Sequence, residues 1–197
     1  MIITGFSRID TVTVPDRFMS VIRISDSGIE ADIQDIKAKL EEDKESLDYL
    51  CVTADTDPLE YPDLYKAIKQ VRPKGLKVLI CTDCRDPSVL DDLIGAGYAN
   101  AANIIIGDEI TDQQMSCIDL IRDNGCKYSV TLNAIEHDRD SVLRIAMKLE
   151  GCSMFILRQD RAKPLDRNRM SELSGAARTC TWNVRMNRSP DEILQFR

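Results

Sequence analysis

The chain has 197 residues, of which 33 are acidic and 26 basic, and 43% are hydrophobic. This length and composition predict one soluble globular domain over residues 1–197, and the net charge of −7 argues against a nucleic-acid partner. No apolar run reaches the ~18 residues of a membrane span and no signal peptide pattern opens the chain, so we expect no membrane contact and a cytoplasmic location.

Strand patterns and helix patterns alternate along almost the whole chain. Short apolar, β-branched runs predict seven strands, at 18–24, 49–54, 76–82, 103–107, 127–135, 152–159 and 179–186. The helices between them are predicted from start and stop signals, with starts at Ser27, Pro62, Pro87 and Thr111 and stops at Gly125 and Gly151. Further helices are predicted over 165–177 and from Ser189.

This alternation predicts βαβ units and a parallel sheet, with the functional face at the carboxyl ends of the strands. Right-handed crossovers leave two architectures, an open doubly wound sheet and a curled, barrel-like sheet. The steady strand interval of roughly 25 residues favours the second, a partial (β/α)6 TIM-like barrel with an extra C-terminal strand and short helix.

Cysteine and histidine usage limits the possible chemistry. Seven cysteines without regular spacing do not form a disulfide framework, and most are predicted to be buried structural thiols. The single histidine, His137, argues against Ser-His-Asp catalysis and multi-histidine metal sites, and we expect it in a solvated loop.

Four phrases of the sequence resemble the activating enzymes of glycyl-radical enzymes. The phrases are GFSRIDTVTVPDRFMSVIRIS, VTADTDPLEYPDLYKAIKQV, LKVLICTDCRDPSVLDDLIGAG and FILRQDRAKPLD, and their order and spacing extend over residues 2–187. These enzymes belong to the radical S-adenosylmethionine (SAM) superfamily, and the closest likeness is to the activating protein of anaerobic ribonucleoside-triphosphate reductase. The resemblance implies the radical SAM type of partial barrel.

The chain departs from the family at the iron–sulfur cluster. The family places C-x3-C-x2-C after the first barrel strand, where this chain reads RISDSGIEADIQD and has no cysteine before Cys51. Three thiolates hold a [4Fe–4S] cluster while leaving one iron open, and serine or aspartate are poor substitutes for such soft iron. With a helix predicted to begin at Ser27, the loop is also too short for the motif. We expect no [4Fe–4S] cluster and no other cofactor.

The positions that would contact SAM are altered as well. Asp55, Thr56 and Asp57 stand where the family has Gly-Gly-Glu, which adds side chains where the backbone must approach SAM closely but keeps one acid. Thr82 and Asp83 stand where it has Thr-Asn, and a family arginine near Thr131 is absent. The resemblance makes these five positions vestigial SAM-binding residues, and SAM is the one cofactor that they could still bind.

Two functions follow as expectations. The first is a noncatalytic radical-SAM-like barrel that serves an anaerobic enzyme system as scaffold, regulator or subunit, with a larger enzyme subunit as its protein partner. The alternative is an enzyme or a binder of SAM, a nucleotide or a cation that uses an acidic strand-end pocket without a cluster.

Three groups of residues leave smaller alternatives open. The C-x2-C pair of Cys81 and Cys84 could be structural thiols, a redox pair or half of a metal site. Acids after successive strands could converge as hard oxygen ligands or form a solvated rim; these are Asp55, Asp57, Asp83, Asp108 and Glu109. Arg158, Gln159 and Arg161 end the sixth predicted strand and could face those acids as ion pairs. Arg185 and Arg188 flank the seventh predicted strand near Trp182 and could form a small anion-binding or partner-contact patch, or be ordinary surface residues.

Overall fold

A computed structural model describes residues 1–159 and 163–188 as a mixed α/β protein with one eight-stranded sheet. The strands are β1 (Ile2–Asp10), β2 (Met19–Ser25), β3 (Tyr49–Ala54), β4 (Val78–Thr82), β5 (Ala101–Ile106), β6 (Lys127–Asn133), β7 (Met154–Gln159) and β8 (Val184–Arg188). The α-helices in these ranges are α1 (Ile33–Asp43), α2 (Leu64–Val71), α3 (Pro87–Gly95), α4 (Asp112–Asp123), α5 (Arg139–Ala146) and α6 (Arg167–Ala177). Among the described helices, none combines the length and apolarity needed to cross a membrane.

The spatial order of the strands is their order in the sequence, from β1 to β8. β2 to β8 pair in parallel, whereas β1 pairs antiparallel with β2. The parallel sheet of sequential neighbours is therefore confirmed. The sheet is open, since no pairing joins β1 to β8 within the described residues.

The two faces of the sheet carry different layers. One face packs against all six described helices, and its core includes Leu50, Val52, Val130 and Phe155 from alternate strand positions. The other face carries a small cluster without helical residues, which includes Met19, Cys51, Leu79 and Met154. We call these the helix-covered face and the helix-free face. A doubly wound sheet needs helices on both faces, so the described residues exclude that architecture.

The β1–β2 connection lies across the amino-terminal part of the helix-free face. The Asp10 carboxylate shapes its start by accepting the backbone N–H groups of Val12 and Thr13 at 2.9 and 2.8 Å. Val14 is 3% exposed and packs into the cluster of the helix-free face. The Asp16 carboxylate accepts a hydrogen bond from Arg185 Nε of β8 at 2.5 Å, so this connection links the two edges of the sheet.

Of the four helix starts predicted from start signals, two are confirmed and two are wrong. α3 begins at Pro87 and α4 begins after the Thr111 capping box. α1 begins at Ile33 rather than near Ser27, because Asp32 is the residue whose carboxylate caps the helix. The argument that the β2–α1 loop is too short for a cluster motif therefore loses its basis, whereas the absence of cysteine there stands. α2 begins at Leu64 rather than Pro62.

Differences near the chain's second half concern boundaries. Gly125 follows α4 with φ +66°, as a helix stop should. α5 ends at Ala146, well before Gly151, and β8 begins at Val184, later than the predicted strand at 179–186. The helix predicted from Ser189 lies outside the described residues.

Candidate functional site

A cavity of about 530 Å³ opens at the carboxyl ends of the strands. Its lining comes from the ends of four successive strands and their loops: Asp83 and Arg85 after β4, Gly107 after β5, Asn133 at the end of β6 and Arg158 in β7. We call it the strand-end cavity. Its position is the one where parallel α/β sheets place their ligands, because the carboxyl ends and their loops converge there.

The floor of the strand-end cavity is polar. Thr131 lines the cavity, and its hydroxyl donates to Asn103 Oδ1 at 3.0 Å on the helix-free face. Ser129 donates to the same oxygen at 2.9 Å, and Asn103 itself is fully buried. Sequence reasoning missed this network. Its signal was the polar residues at alternating positions of β6 and the single asparagine in the otherwise apolar β5.

Asp57 is buried below the rim, with 1% of its surface exposed, and does not line the cavity. It caps a 3-10 helix over Pro58–Glu60, whose first position suits proline. Its Oδ1 accepts the Leu59 N–H at 3.1 Å and the Thr82 hydroxyl at 2.6 Å, and its Oδ2 accepts the Arg85 N–H at 2.7 Å. These three donors tie the ends of β3 and β4 together.

Asp83 and Arg85 form the rim of the cavity above Asp57. Arg85 Nε donates to Asp83 Oδ2 at 3.0 Å, and Arg85 Nη1 donates to Glu60 Oε1 at 3.0 Å. Gln114 of α4 donates to the Asp83 carbonyl at 3.2 Å and holds the turn from the other side. The rim therefore carries both negative and positive side chains, and hydrogen bonds between these side chains fix their positions.

Asp57 and Asp83 both contact Arg85, Asp57 through the Arg85 backbone N–H and Asp83 through the Arg85 guanidinium. Burial raises the pKa of Asp57 to about 6, and the Asp83 carboxylate adds to this, while the donors from Thr82, Arg85 and Leu59 oppose it. Burial also acts to raise the pKa of Asp83, but the hydrogen bonds from Asp57 and Arg85 outweigh burial and lower it. The pair thus divides into a weak acid and a strong one.

The other predicted acids lie elsewhere. Asp55 is exposed and its carboxylate is 4.0 Å from Arg23 Nε, and Thr56 is also exposed beside it. Asp108 and Glu109 line a separate groove against α5. Of the five acids, the structure therefore brings together Asp57 and Asp83.

The two cysteines of the C-x2-C motif lie in different layers. Cys81 is on the helix-free face, where its Sγ is 3.5 Å from Cys51 Sγ. Cys84 is in the helix-covered core, which also includes Cys117. The interpretation of Cys81 and Cys84 as a redox pair is wrong for this geometry, because alternate placement about the end of a strand directs the two thiols apart.

The interpretation of His137 as a solvated residue is also wrong. His137 is 3% exposed, and its Nε2 is buried without a hydrogen-bond partner. Arg169 of α6 covers the segment by donating to the His137 carbonyl at 3.0 Å. Burial lowers the pKa of the imidazole, against the nearby carboxylates of Glu136, Asp108 and Asp138. Sequence position alone could not show that α6 returns to this loop.

The predicted basic residues are separated. Arg158 lines the strand-end cavity, Arg185 pairs with Asp16, and Trp182 is 87% exposed. Arg161 and the side chain of Arg188 lie outside what the structure describes.

Within residues 1–159 and 163–188, no group of three or more histidine, cysteine or acidic side chains is arranged to hold a metal ion. The chain was compared with protein-family models and with curated proteins, and neither comparison finds a match. The site itself is a polar cavity with charges of both signs at its rim.

Proposed function

We propose that this protein is a noncatalytic, radical-SAM-type partial barrel that binds a small polar ligand in the strand-end cavity. The observation that carries the proposal is the cavity itself, with its polar floor at Thr131 and its charged rim at Asp83 and Arg85. A volume of about 530 Å³ lies within the range of small-molecule sites.

Three features of the fold support the barrel type. The parallel strands follow one another in sequence order, the described helices cover one face, and Asp16 and Arg185 connect the edges of the sheet. A sheet with these features has its ligand loops on one edge, as barrels do.

The absence of cysteine before Cys51 supports a function without radical chemistry, because the cluster loop of the family has no counterpart in this sequence. What the cavity offers instead is hydrogen bonding and charge. A ligand with both a donor group and an anionic group fits its mixed rim best, and nucleotides and SAM are ligands of this kind.

A cavity-filling substitution tests the proposal. Ile105 lines the cavity and is 38% exposed, whereas Ile135 is 41% exposed and does not line it. We expect SAM, ATP or another nucleotide to raise the melting temperature of the wild-type protein. Ile105→Trp should weaken the binding of that compound at least tenfold by isothermal titration calorimetry, and the matched control Ile135→Trp should leave it unchanged.

Two results would overturn the proposal. One is a screen of SAM, nucleotides and divalent cations in which no compound shifts the melting temperature. The other is equal affinity in Ile105→Trp and the wild type, which would place binding outside the cavity.

A second function, as scaffold, regulator or subunit for a larger anaerobic enzyme, is favoured by the state of Asp57. In the family, the acid at this position meets SAM, whereas here its oxygens are occupied by Leu59, Thr82 and Arg85. We expect anaerobic reconstitution with iron and sulfide to yield no stoichiometric cluster, as read by visible absorption and iron content. Cluster formation together with SAM cleavage would refute both functions.

A further inference from the structure

The segment over residues 64–77 is basic in a protein that is acidic as a whole. It contains five basic residues and no acidic one, whereas the chain has a net charge of −7. α2 forms the first half of this segment and packs its apolar side into the helix-covered core through Leu64, Ala67, Ile68 and Val71. Lys66 and Lys69 are three residues apart in α2, so they lie together on its exposed side.

Arg72 follows α2 and joins two turns at the amino-terminal edge of the sheet. Its Nε donates to the Leu76 carbonyl at 2.5 Å, and its Nη1 donates to the Gly97 carbonyl at 2.6 Å. These bonds connect the turn before β4 to the turn before β5, and the guanidinium lies 5.8 Å from the centre of the Tyr98 ring. The guanidinium therefore has a fixed position on the surface.

The charge of Arg72 has no counter-charge of its own. The side chain is half-buried, yet no carboxylate in the part of the chain that the structure describes pairs with it. Burial lowers the pKa of the guanidinium, because the charged form loses water. The two carbonyls occupy only some of the N–H donors of a guanidinium, so the others are available to an acceptor from outside.

We propose that α2 and these two turns form a docking surface for an acidic segment of a protein partner. We call it the α2 surface, and its members are Tyr65, Lys66, Lys69, Arg72, Lys74 and Tyr98. A carboxylate of the partner pairs with Arg72, and further acidic side chains lie near Lys69 and Lys74. Both of these lysines are exposed and form no ion pair within residues 1–159 and 163–188, whereas Lys66 pairs with Asp63 at 2.8 Å.

The aromatic rings of the α2 surface favour a peptide over a nucleic acid. The Tyr65 and Tyr98 rings are in contact, with their centroids 6.3 Å apart and their planes at 46°. Lys66 lies over the Tyr65 ring and Arg72 over the Tyr98 ring, each at 5.8 Å from the centroid. The rings thus already contact each other and two cations, so they make a poor stacking platform for bases, and the net charge of −7 opposes a long polyanion.

The location of the α2 surface separates this proposal from the function of the strand-end cavity. The turns that carry Arg72 and Tyr98 precede β4 and β5, so they lie at the amino-terminal edge of the sheet. The cavity opens at the opposite edge, where the strands end. Docking at the α2 surface therefore does not depend on whether the cavity binds a ligand.

A fluorescein-labelled peptide of ten glutamates provides the probe, with fluorescence anisotropy in low salt as the measurement. We expect the wild-type protein to bind this peptide although both carry a net negative charge, and Lys69→Glu to weaken the affinity at least tenfold. The matched control is Lys148→Glu, which makes the same change of charge at an exposed lysine beyond the end of α5 and should leave the affinity within twofold. Arg72→Lys keeps the charge but removes the planar fork, and should weaken binding at least threefold.

A labelled oligonucleotide of ten thymidines distinguishes the two kinds of polyanion, and we expect it to bind at least tenfold more weakly than the peptide. Three results would overturn the proposal. The first is no binding of the peptide to the wild type. The second is an equal loss of affinity in Lys69→Glu and Lys148→Glu, which would show attraction to the protein's overall charge. The third is oligonucleotide binding as tight as that of the peptide, which would assign the surface to nucleic acid.

Discussion

Replacing Thr82 with valine removes a hydroxyl group that joins Asp57 to the β4–α3 turn. Thr82 is 1% exposed, and its hydroxyl donates to Asp57 Oδ1 at 2.6 Å and accepts from the Cys84 N–H at 2.7 Å. Valine keeps the branched shape and makes neither bond. The Cys84 N–H is then buried without an acceptor, which costs about 1–3 kcal/mol.

The loss at Asp57 depends on pH. The lost bond is worth about 1 kcal/mol when Asp57 is a neutral acid and about 1.5–3 kcal/mol when it is a carboxylate. The hydroxyl favours the ionised form, so its removal raises the pKa of Asp57 further above the ordinary value. Stability from a raised carboxyl pKa is present at low pH and declines as pH rises through the folded-state pKa.

The expected cost of Thr82→Val is therefore about 2–4 kcal/mol at pH 5 and about 1 kcal/mol more at pH 8. Thr82→Ser is the matched control, because it keeps the hydroxyl and removes one methyl group at a cost of about 1 kcal/mol. The measurement is urea unfolding followed by far-ultraviolet circular dichroism, since Trp182 is too exposed to report on the core. Equal stability of the two variants, or a cost that falls with pH, would refute the reasoning.

Two further predictions concern single positions away from the rim. His137→Gln should remove a part of the pH dependence of folding. The folded imidazole has a lowered pKa, so the stability of the wild type falls as pH drops below the ordinary histidine pKa. Unfolding free energies of the variant between pH 7 and pH 5 should lack this contribution, and identical pH dependence in the two proteins would contradict the buried placement. Gly175→Ala, inside α6 with open space around its Cβ, should stabilise the protein by about 0.5–1 kcal/mol. Gly151→Ala should destabilise it by about 1 kcal/mol because its φ is +77°, and thermal melts in which both changes have the same sign would contradict these backbone assignments.

The sequence was sufficient for the elements with strong periodicity. β3 spans Tyr49–Ala54 as its apolar, β-branched run predicts, and α4 begins after the capping box of Thr111 and Gln114. β1 was missed because its side chains are mostly half-buried, so it lacks both the continuous apolar run and the alternation that mark strands. Ser27 was mistaken for a helix cap because capping-box spacing is a local signal. The residue that caps α1 is Asp32, whose carboxylate accepts the N–H groups of Gln34 and Asp35.

The site was predictable only as an edge of the sheet. The rule that ligands lie at the carboxyl ends of parallel strands predicted a site at Asp57, Thr82 and Asp83. The structure does place these residues together, since Thr82 donates to Asp57 and Asp83 follows Thr82 in the chain. Which face each side chain occupies depends on how β3 and β4 end, and the 3-10 turn after Asp57 directs that acid inward. The contacts between Cys51 and Cys81 across two strands likewise depend on a register that spacing along one chain does not contain.

The turn at Asp57 uses its acid differently from the family phrase that it resembles. In the family phrase that this turn resembles, glycines expose the backbone and the acid faces the ligand. Here Pro58 starts a 3-10 helix, and the acid is used by the protein's own N–H and hydroxyl groups. An acid with three internal donors has little capacity left for a ligand cation, whereas Asp83, which follows β4, lines the cavity. The negative charge that a ligand would meet at this rim is therefore that of Asp83, whose pKa is lowered because its hydrogen bonds with Asp57 and Arg85 outweigh its burial.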